Sequence, residues 1–291
     1  MALLLDCDTI VVNYNAGQML EDCVASALEA GAARVIVVDN ASRDNSLAKI
    51  ETRFTGDTRL TVIRNGANLG FAAGCNIGIE ASTADAVFFL NPDGRIERGA
   101  LARLLEVLYS DARIGMVGGF LCNPDGSEQP GGRRQFPTPE NAFAYAFGLT
   151  RIAPKLFPNF RMENTPLPTE PVDIPAMSGA CMLVKREALE DVGLWDEGYF
   201  LHCEDLDWCM RFLIKGWRLV YVPDAPVKHV WGGSSRSRPI FVEWHKHRGM
   251  IRFYRKFYRT NYSGLVWAAV VAGVWLRFGL LAAYYTVRRM I

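Results

Sequence analysis

The 291-residue chain carries seven cysteines but no Cys-x-x-Cys pair, which argues against both a disulfide framework and a thiolate zinc ribbon. Their odd number and irregular spacing read as reduced thiols in a cytosolic compartment. No Gly-x-Gly-x-x-Gly follows the first apolar run, Ile10-Val11-Val12, so a dinucleotide oxidoreductase is disfavoured. Val11 to Gly17 also lacks the glycine-rich basic loop that a nucleotidyltransferase needs. Leu3-Leu4-Leu5 is too short, and too close to Asp6 and Asp8, for a secretory leader. Internal repeats and low-complexity tracts are absent. Acid is nearly missing from one end: residues 236–291 hold 11 Lys or Arg and a single acid, Glu243. The other 235 residues hold 21 basic and 30 acidic side chains, so the net charge of +1 hides an acidic body and a basic tail. Such a tail suits an anionic membrane surface. The acidic body would repel a polyanion, so nucleic acid is not an expected partner.

What the chain does have is alternation. Short apolar runs at Ile10–Val12, Val35–Val38, Leu60–Ile63, Ala86–Leu90 and Ile114–Val117 predict buried strands. Between them, helical spacing covers Leu20–Ala30, Leu47–Phe54, Phe71–Ala81 and Leu101–Tyr109. Strands alternating with helices predict an α/β fold with a mostly parallel central sheet and helices on both faces. Residues 123–175 are rich in Pro, Gly and Asn and read as long loops with one helix near Ala142–Leu149. The pattern resumes with a strand at Ala180–Val184, a helix at Glu204–Lys215 and a strand at Leu219–Val222. Half of the chain is hydrophobic, enough for a full core.

The tail predicts a second unit, residues 236–291, after a body of residues 1–235. Leu265–Leu276 and Phe278–Val287 are uncharged runs separated by Arg277. A spanning helix needs about 20 apolar residues, and a central Arg costs about 2.5–3.5 kcal/mol on insertion scales. Residues 265–287 therefore read as a helix lying in the interface, anchored by Trp267, Trp275, Tyr284 and Tyr285. Packing on the body or in a homo-oligomer is the other reading.

Polar residues gather where the predicted strands end, the edge at which such sheets bind ligands. They are Asn13 and Asn15; Asp39 and Asn40; Asn68; and Asn91 with Asp93. Asp39 reads either as an Asx-turn or as an acceptor for a pyrimidine imide or ribose hydroxyl. The later helix opens on Glu204-Asp205, where the helix dipole favours ionised carboxylates. Asp207 stands four residues before Arg211 and predicts an intrahelical ion pair.

Val11-Val12-Asn13-Tyr14-Asn15, Val37-Val38-Asp39-Asn40-Ala41-Ser42-Arg43-Asp44, Asn68-Leu69-Gly70-Phe71, Asn91-Pro92-Asp93, Glu204-Asp205 and His229 follow one another in an order that closely resembles the family-two inverting glycosyltransferases of GT-A fold, in their rhamnosyltransferase-like branch. The resemblance spans residues 9 to 250. It implies an enzyme of the hexosyltransferase class acting in cell-envelope polysaccharide synthesis. The donor would be a nucleoside-diphosphate sugar, dTDP-rhamnose or a UDP-sugar, and the acceptor a glycan or a polyprenyl-diphosphate-linked glycan. The implied location is cytoplasmic, peripheral on the inner face of the cytoplasmic membrane.

By the same resemblance Asn13, Tyr14, Asn15, Asp39, Asn68, Gly70, Asn91 and Asp93 bind the donor nucleotide, and Asp93 with His229 holds Mg2+ or Mn2+. Asn91 stands where the family's Asp-x-Asp has its first acid, which leaves Asp93 as the main metal carboxylate. Ser178, Gly179, Ala180, Glu204 and Arg236 would contact donor sugar or acceptor, and Asp205 would be the general base. Trp195 to Phe200 would shape the acceptor pocket. Arg133 and Arg134 read as sugar or phosphate contacts or as plain surface charge. A non-catalytic, membrane-associated sugar-nucleotide or glycan-binding protein is the rival reading.

Overall fold

The computed structural model of the chain describes residues 6–146, 148–153, 155–156, 160–163, 165–230 and 238–290. Strands β1 (Cys7–Asn13), β2 (Arg34–Asp39), β3 (Leu60–Arg64), β4 (Ala86–Leu90), β5 (Gly94–Ile96) and β6 (Ile114–Cys122) alternate with helices α1 (Gln18–Glu29), α2 (Ser46–Arg53), α3 (Phe71–Glu80) and α4 (Ala100–Leu108). A loop-rich stretch follows, with β7 (Arg133–Arg134), α5 (Pro139–Ala146), α6 (Leu149–Ile152), β8 (Val172–Asp173) and β9 (Ala176–Met177). Then come β10 (Cys181–Lys185), α7 (Arg186–Val192), α8 (Glu204–Ile214), β11 (Arg218–His229), α9 (Pro239–Phe257) and α10 (Gly264–Met290).

The main sheet runs β3-β2-β1-β4-β10-β6-β11-β5, with β8 beside β11. Pairings β1·β2, β2·β3, β1·β4 and β6·β11 are parallel. β10 lies antiparallel between β4 and β6. Its chain starts from Ser178–Ala180 at the strand-end edge, so β10 must run back into the sheet.

Side-chain alternation splits the core into two layers. Val11, Val35, Val37 and Phe88 face α1 and α4, whereas Ile10, Ile36, Val38 and Phe89 face α3, α8 and α9. Fully burying each of these side chains stabilises the fold by about 1.5–3 kcal/mol. Helix α3 lies unusually close to β1, because a Cβ on Gly78 would stand 2.5 Å from Cγ2 of Ile10.

Several elements differ from the sequence expectation. β6 and β11 run well past Val117 and Val222. Gly118-Gly119 and Pro223 look like breaks, yet a register shift after Val222 lets Pro226–Lys228 pair with Phe120–Cys122. Gly119 serves that shift, since a Cβ there would lie 2.4 Å from the Ala225 carbonyl. His229 therefore ends a strand. The helix expected near Ala142–Leu149 begins earlier, at Pro139. The helix expected over 265–287, by contrast, is there as expected: it is part of α10, a single 27-residue helix that continues through Arg277.

The expected boundary at 235–236 falls outside the described residues, as do Arg236 and the Gly-Ser loop before it. Beyond it, α9 places Phe253 and Tyr254 in the same apolar layer as β1 and α8. Ion pairs add to that contact: Arg252 and Lys256 meet Asp196, and Lys256 also reaches the buried Asp207. Burial works against ionising Asp196, but these two cations hold it down to about 2.

Candidate active site

The C-terminal ends of β1, β2 and β4, the end of β11 and the start of α8 open on one cleft of about 800 Å³. Tyr14, Asn15, Asn40, Asn68 and Gly70 form one end of its lining. Asn15 and Ala41 adopt positive φ, 54° and 58°, where the loops after β1 and β2 meet. Asn15 accepts a hydrogen bond from the Arg43 amide at 2.7 Å, and its own amide donates to Ser42. Asn68 caps the Gly70 amide at 3.0 Å. Gly70 has φ +91°, and a Cβ there would stand 2.6 Å from the Phe200 carbonyl, so only glycine closes this junction.

Asn13 and Asp39 lie just behind this wall. Asn13 is fully buried and donates to Asp39 at 2.7 Å and to the hydroxyls of Ser42 and Ser46. The second oxygen of Asp39 accepts from the Ser42 amide, three residues on, at 3.0 Å, so the carboxylate holds the loop after β2. These two side chains set the shape of this end of the cleft.

Beside it stand Asn91, Asp93 and His229. Antiparallel pairing of β11 with β5 sets His229 opposite Gly94. Its Nε2 is 3.0 Å from Asp93 Oδ1 and 3.3 Å from Asn91 Nδ2. Its Nδ1 lies 2.6 Å from Gln129 Oε1. Gln129 is buried, and its amide nitrogen already donates to the His229 carbonyl at 3.1 Å, so its oxygen must accept from Nδ1–H. In neutral His229 the Nε2 lone pair therefore faces a carboxylate oxygen. Two such atoms side by side can serve as adjacent ligands of one cation. Cis ligands on an octahedral ion with bonds of about 2.1 Å stand about 3 Å apart, so the pair fits a divalent metal. Among the described residues no group of three His, Cys, Asp or Glu gathers as metal ligands. The remaining positions would fall to phosphate oxygens, water and Asn91. Gln129 was not foreseen, because its role is purely spatial: it sits 100 residues from His229.

Across the cleft, α8 begins at Glu204 after two consecutive non-glycine residues in the left-handed region, His202 (φ 68°) and Cys203 (φ 72°). Such conformations persist only when the surroundings enforce them. Here α9 does so: a Cβ on Gly249 would stand 2.7 Å from the His202 carbonyl. Asp205 is ion-paired with Arg134, and the Gly179 amide donates to the same carboxylate at 3.2 Å. Glu204 points into the cleft with one oxygen, Oε2, that is buried and hydrogen-bonded to nothing. Burial first, and the Asp205 charge second, push its pKa up to about 8. Asp207 turns away and binds Arg211, Tyr199 and Lys256 inside the protein. The Asp207–Arg211 pair follows the helical spacing read from the sequence.

Ser178, Gly179 and Ala180 line the cleft between the two poles. Of the stretch Trp195 to Phe200, only Phe200 lines it. Trp195 is core, 4.1 Å from Trp208 and edge-on to Phe89. Arg133 is also structural, buried against Glu128, Thr165 and Pro166. Arg134, its neighbour, is the one that reaches the cleft.

A cleft lined by polar strand ends, a metal-fitting Asp–His pair and a carboxylate at a facing helix N-terminus are the layout of a GT-A type glycosyltransferase. Residues 8–193 match the model of glycosyl transferase family 2, and residues 165–291 that of glycosyl transferase family group 2. The chain belongs to glycosyltransferase family 2. It is 31% identical over 252 residues to the N-acetylglucosaminyl-diphospho-decaprenol L-rhamnosyltransferase of Mycobacterium tuberculosis, covering 79% of this chain and 78% of that one. It resembles the crystal structure of GalNAc-T7 with UDP, GalNAc and Mn2+ with a TM-score of 0.63 at 18% identity, over 88% of this chain and 48% of that one. The chain thus spans about half the length of GalNAc-T7. The mannosyltransferase PcManGT from Pyrobaculum calidifontis, in complex with GDP-Man and Mn2+, gives 0.60 at 16% identity, over 100% of this chain and 82% of that one. At these identities the structural likeness establishes the fold.

Proposed function

We propose that the protein transfers a sugar, rhamnose in preference, from a nucleoside-diphosphate donor to a lipid-linked glycan on the cytoplasmic face of the cytoplasmic membrane, with inversion. The observation that carries this reading is the arrangement of one cleft with two poles, Asp93–His229 on strand ends and Glu204–Asp205 on a facing helix. The Mycobacterium tuberculosis relative supports the choice of sugar and acceptor, since its name specifies an L-rhamnosyltransferase acting on a diphospho-decaprenol-linked sugar.

In this reading the loops carrying Tyr14, Asn15, Asn40 and Asn68 hold the nucleoside, shaped from behind by Asn13 and Asp39. Asp93 and His229 would hold Mg2+ or Mn2+ together with the donor phosphates, and the bound ion would supply charge stabilisation to the leaving diphosphate. Gln129 keeps the His229 lone pair on Nε2. Ser178 to Ala180 flank the donor sugar. Asp205 takes the proton from the acceptor hydroxyl as that oxygen attacks the anomeric carbon from the face opposite the leaving group. At rest Arg134 neutralises Asp205; an anionic substrate in the same cleft competes for that guanidinium and releases the base. Glu204, whose protonated form is favoured by burial, can donate a hydrogen bond to the acceptor.

Helix α10 is long and apolar enough over Gly264–Arg288 to cross a membrane by length and composition, its most apolar 18-residue stretch having a mean hydropathy of 1.9. Most of its surface is exposed, Leu265 reaching 87%. One side instead packs on α9 through Trp275 and Phe278 against Trp244. A peripheral helix in the interface, with the basic residues of α9 at the headgroups, accommodates both facts. Truncation after residue 260 should then abolish partitioning onto anionic vesicles.

The direct test incubates the purified protein with a panel of nucleotide-sugars, Mg2+ or Mn2+, and a polyprenyl-diphosphate-linked monosaccharide. The expected result is acceptor-dependent release of nucleoside diphosphate, greatest with dTDP-rhamnose. Saturable donor binding without release across the panel would leave a sugar-nucleotide-binding protein instead.

A further inference from the structure

Arg277 stands in the middle of an otherwise apolar helix, and the structure gives it a holder. Its Nη1 donates to His247 Nε2 at 2.9 Å. His247 is fully buried, and its Nδ1 donates to the Glu243 carbonyl at 2.6 Å, which leaves the lone pair on Nε2. Burial, the largest influence on this ring, favours its neutral form. The Glu243 carboxylate is near but does not saturate the guanidinium: its Oε2 is 4.0 Å from Arg277 Nη1 and has no hydrogen-bond partner. Arg277 is thus fixed by one nitrogen and presents its remaining donors to the cleft, which it lines.

Two further cations line the same corner. Arg238, the residue that caps the start of α9, and Lys246 on α9 lie eight residues apart, with the cleft-lining Val242 midway between them. Lys246 is 3.8 Å from Glu243, and Arg238 has no ion pair among the described residues. Three cations against one carboxylate leave an excess of two positive charges. A diphosphate esterified at both ends carries two negative charges. The donor diphosphate belongs at the opposite pole, with Asp93 and His229, so this corner is supernumerary for the donor. The corner also adjoins the exposed apolar side chains of α10, Leu276 and Leu280. Finally, it is coupled to the proposed base: the Lys246 carbonyl meets the Cys203 thiol at 4.0 Å, one residue before Glu204.

We propose that Arg277, Lys246 and Arg238 form the subsite for the diphosphate of a polyprenyl-diphosphate-linked acceptor, with the hydrocarbon chain along the exposed face of α10 and the sugar directed toward Asp205. His247 is a positioning residue that aims Arg277. The assignment rests on the transferase reading for its direction but is tested apart from it.

The test measures binding of farnesyl diphosphate in neutral detergent micelles to the full chain and to Arg277→Met, Lys246→Gln and the double variant. Farnesol serves as the uncharged control, and nucleotide-sugar affinity is read in parallel. Loss of a charged hydrogen-bonding partner should weaken farnesyl diphosphate binding about 10-fold or more in each single variant. Farnesol binding and donor affinity should stay at their wild-type values. Arg277→Lys, which keeps the charge, should lose less than Arg277→Met. His247→Phe, which removes the acceptor but keeps a ring, should weaken farnesyl diphosphate while leaving farnesol unchanged. Unchanged farnesyl diphosphate affinity in the double variant overturns the subsite. So does a loss confined to partitioning on phosphatidylglycerol vesicles, which would make the corner a general anionic-lipid patch. A protein that binds farnesyl diphosphate through Arg277 yet turns over no donor keeps the subsite and overturns the transferase reading. Turnover without farnesyl diphosphate binding does the reverse.

Discussion

The Asp93–His229 end of the cleft is built from strand ends, whereas the Glu204–Asp205 end is a helix N-terminus propped from behind by α9. At the first end a hydrogen-bonded register fixes every group: His229 pairs across β11·β5 and Gln129 pins its ring. At the second end two left-handed residues precede the helix, and their support comes from a segment more than 40 residues further along the chain. Charge differs as well. Asp93 meets an imidazole, which suits a shared cation, while Asp205 meets a guanidinium that already neutralises it. In the proposed mechanism the sheet edge gives the leaving group a rigid place. The helix start, held by a docked neighbour, gives the proposed base a position that depends on whether that neighbour is in place.

The comparison is broken most easily at Asp205. Asp205→Asn removes the proposed base and should lower kcat by about 10²–10⁴-fold. The next effect concerns the prop. Asp207 is fully buried among Tyr199, Arg211 and Lys256, and Asp207→Ala should cost about 3 kcal/mol in urea unfolding. A cost below about 1 kcal/mol would show that this buried carboxylate does not hold α8 in place. On the strand side, Gln129→Met should weaken Mn2+ binding about 10- to 100-fold, read by titration in the presence of nucleoside diphosphate. An unaltered affinity would show that the His229 ring needs no holder.

The smallest effect is one of sign. Glu204 has a folded pKa near 8 against an ordinary 4.5, so folding takes up a proton between those values. Its contribution is complete below the unfolded value and is lost as pH rises through about 8. Glu204→Gln should therefore flatten the fall of Tm with rising pH in that window. Asp196 runs the other way: held near 2 against an ordinary 3.8, it supports α9 docking above the unfolded value and loses that support as pH falls toward about 2.

Much of the strand-end pole was legible in the chain, because a parallel sheet places each strand terminus at one edge. Asn13, Asp39, Asn68 and Asp93 could be assigned to that edge from apolar runs alone. Glu204-Asp205 at a helix start was equally readable. Three things were not. The β6–β11 register shift hides behind Gly118-Gly119 and Pro223, residues that ordinarily end strands, so β11 appeared to stop at Val222. Trp195 looked like a pocket residue, but its partners Phe89 and Trp208 come from distant segments. Gln129 and Arg277 carry no local pattern that marks a role; their meaning arises only when a loop meets His229 and when α10 meets His247.

The central claim is that the two carboxylates serve different substrates. It is tested most directly by titrating nucleotide-sugar, with Mn2+ present, into wild type, Asp93→Asn and Asp205→Asn by calorimetry. The account predicts donor affinity lost in Asp93→Asn and retained in Asp205→Asn. Equal loss in both variants, or retention in both, would contradict the separation of a donor pole from an acceptor pole.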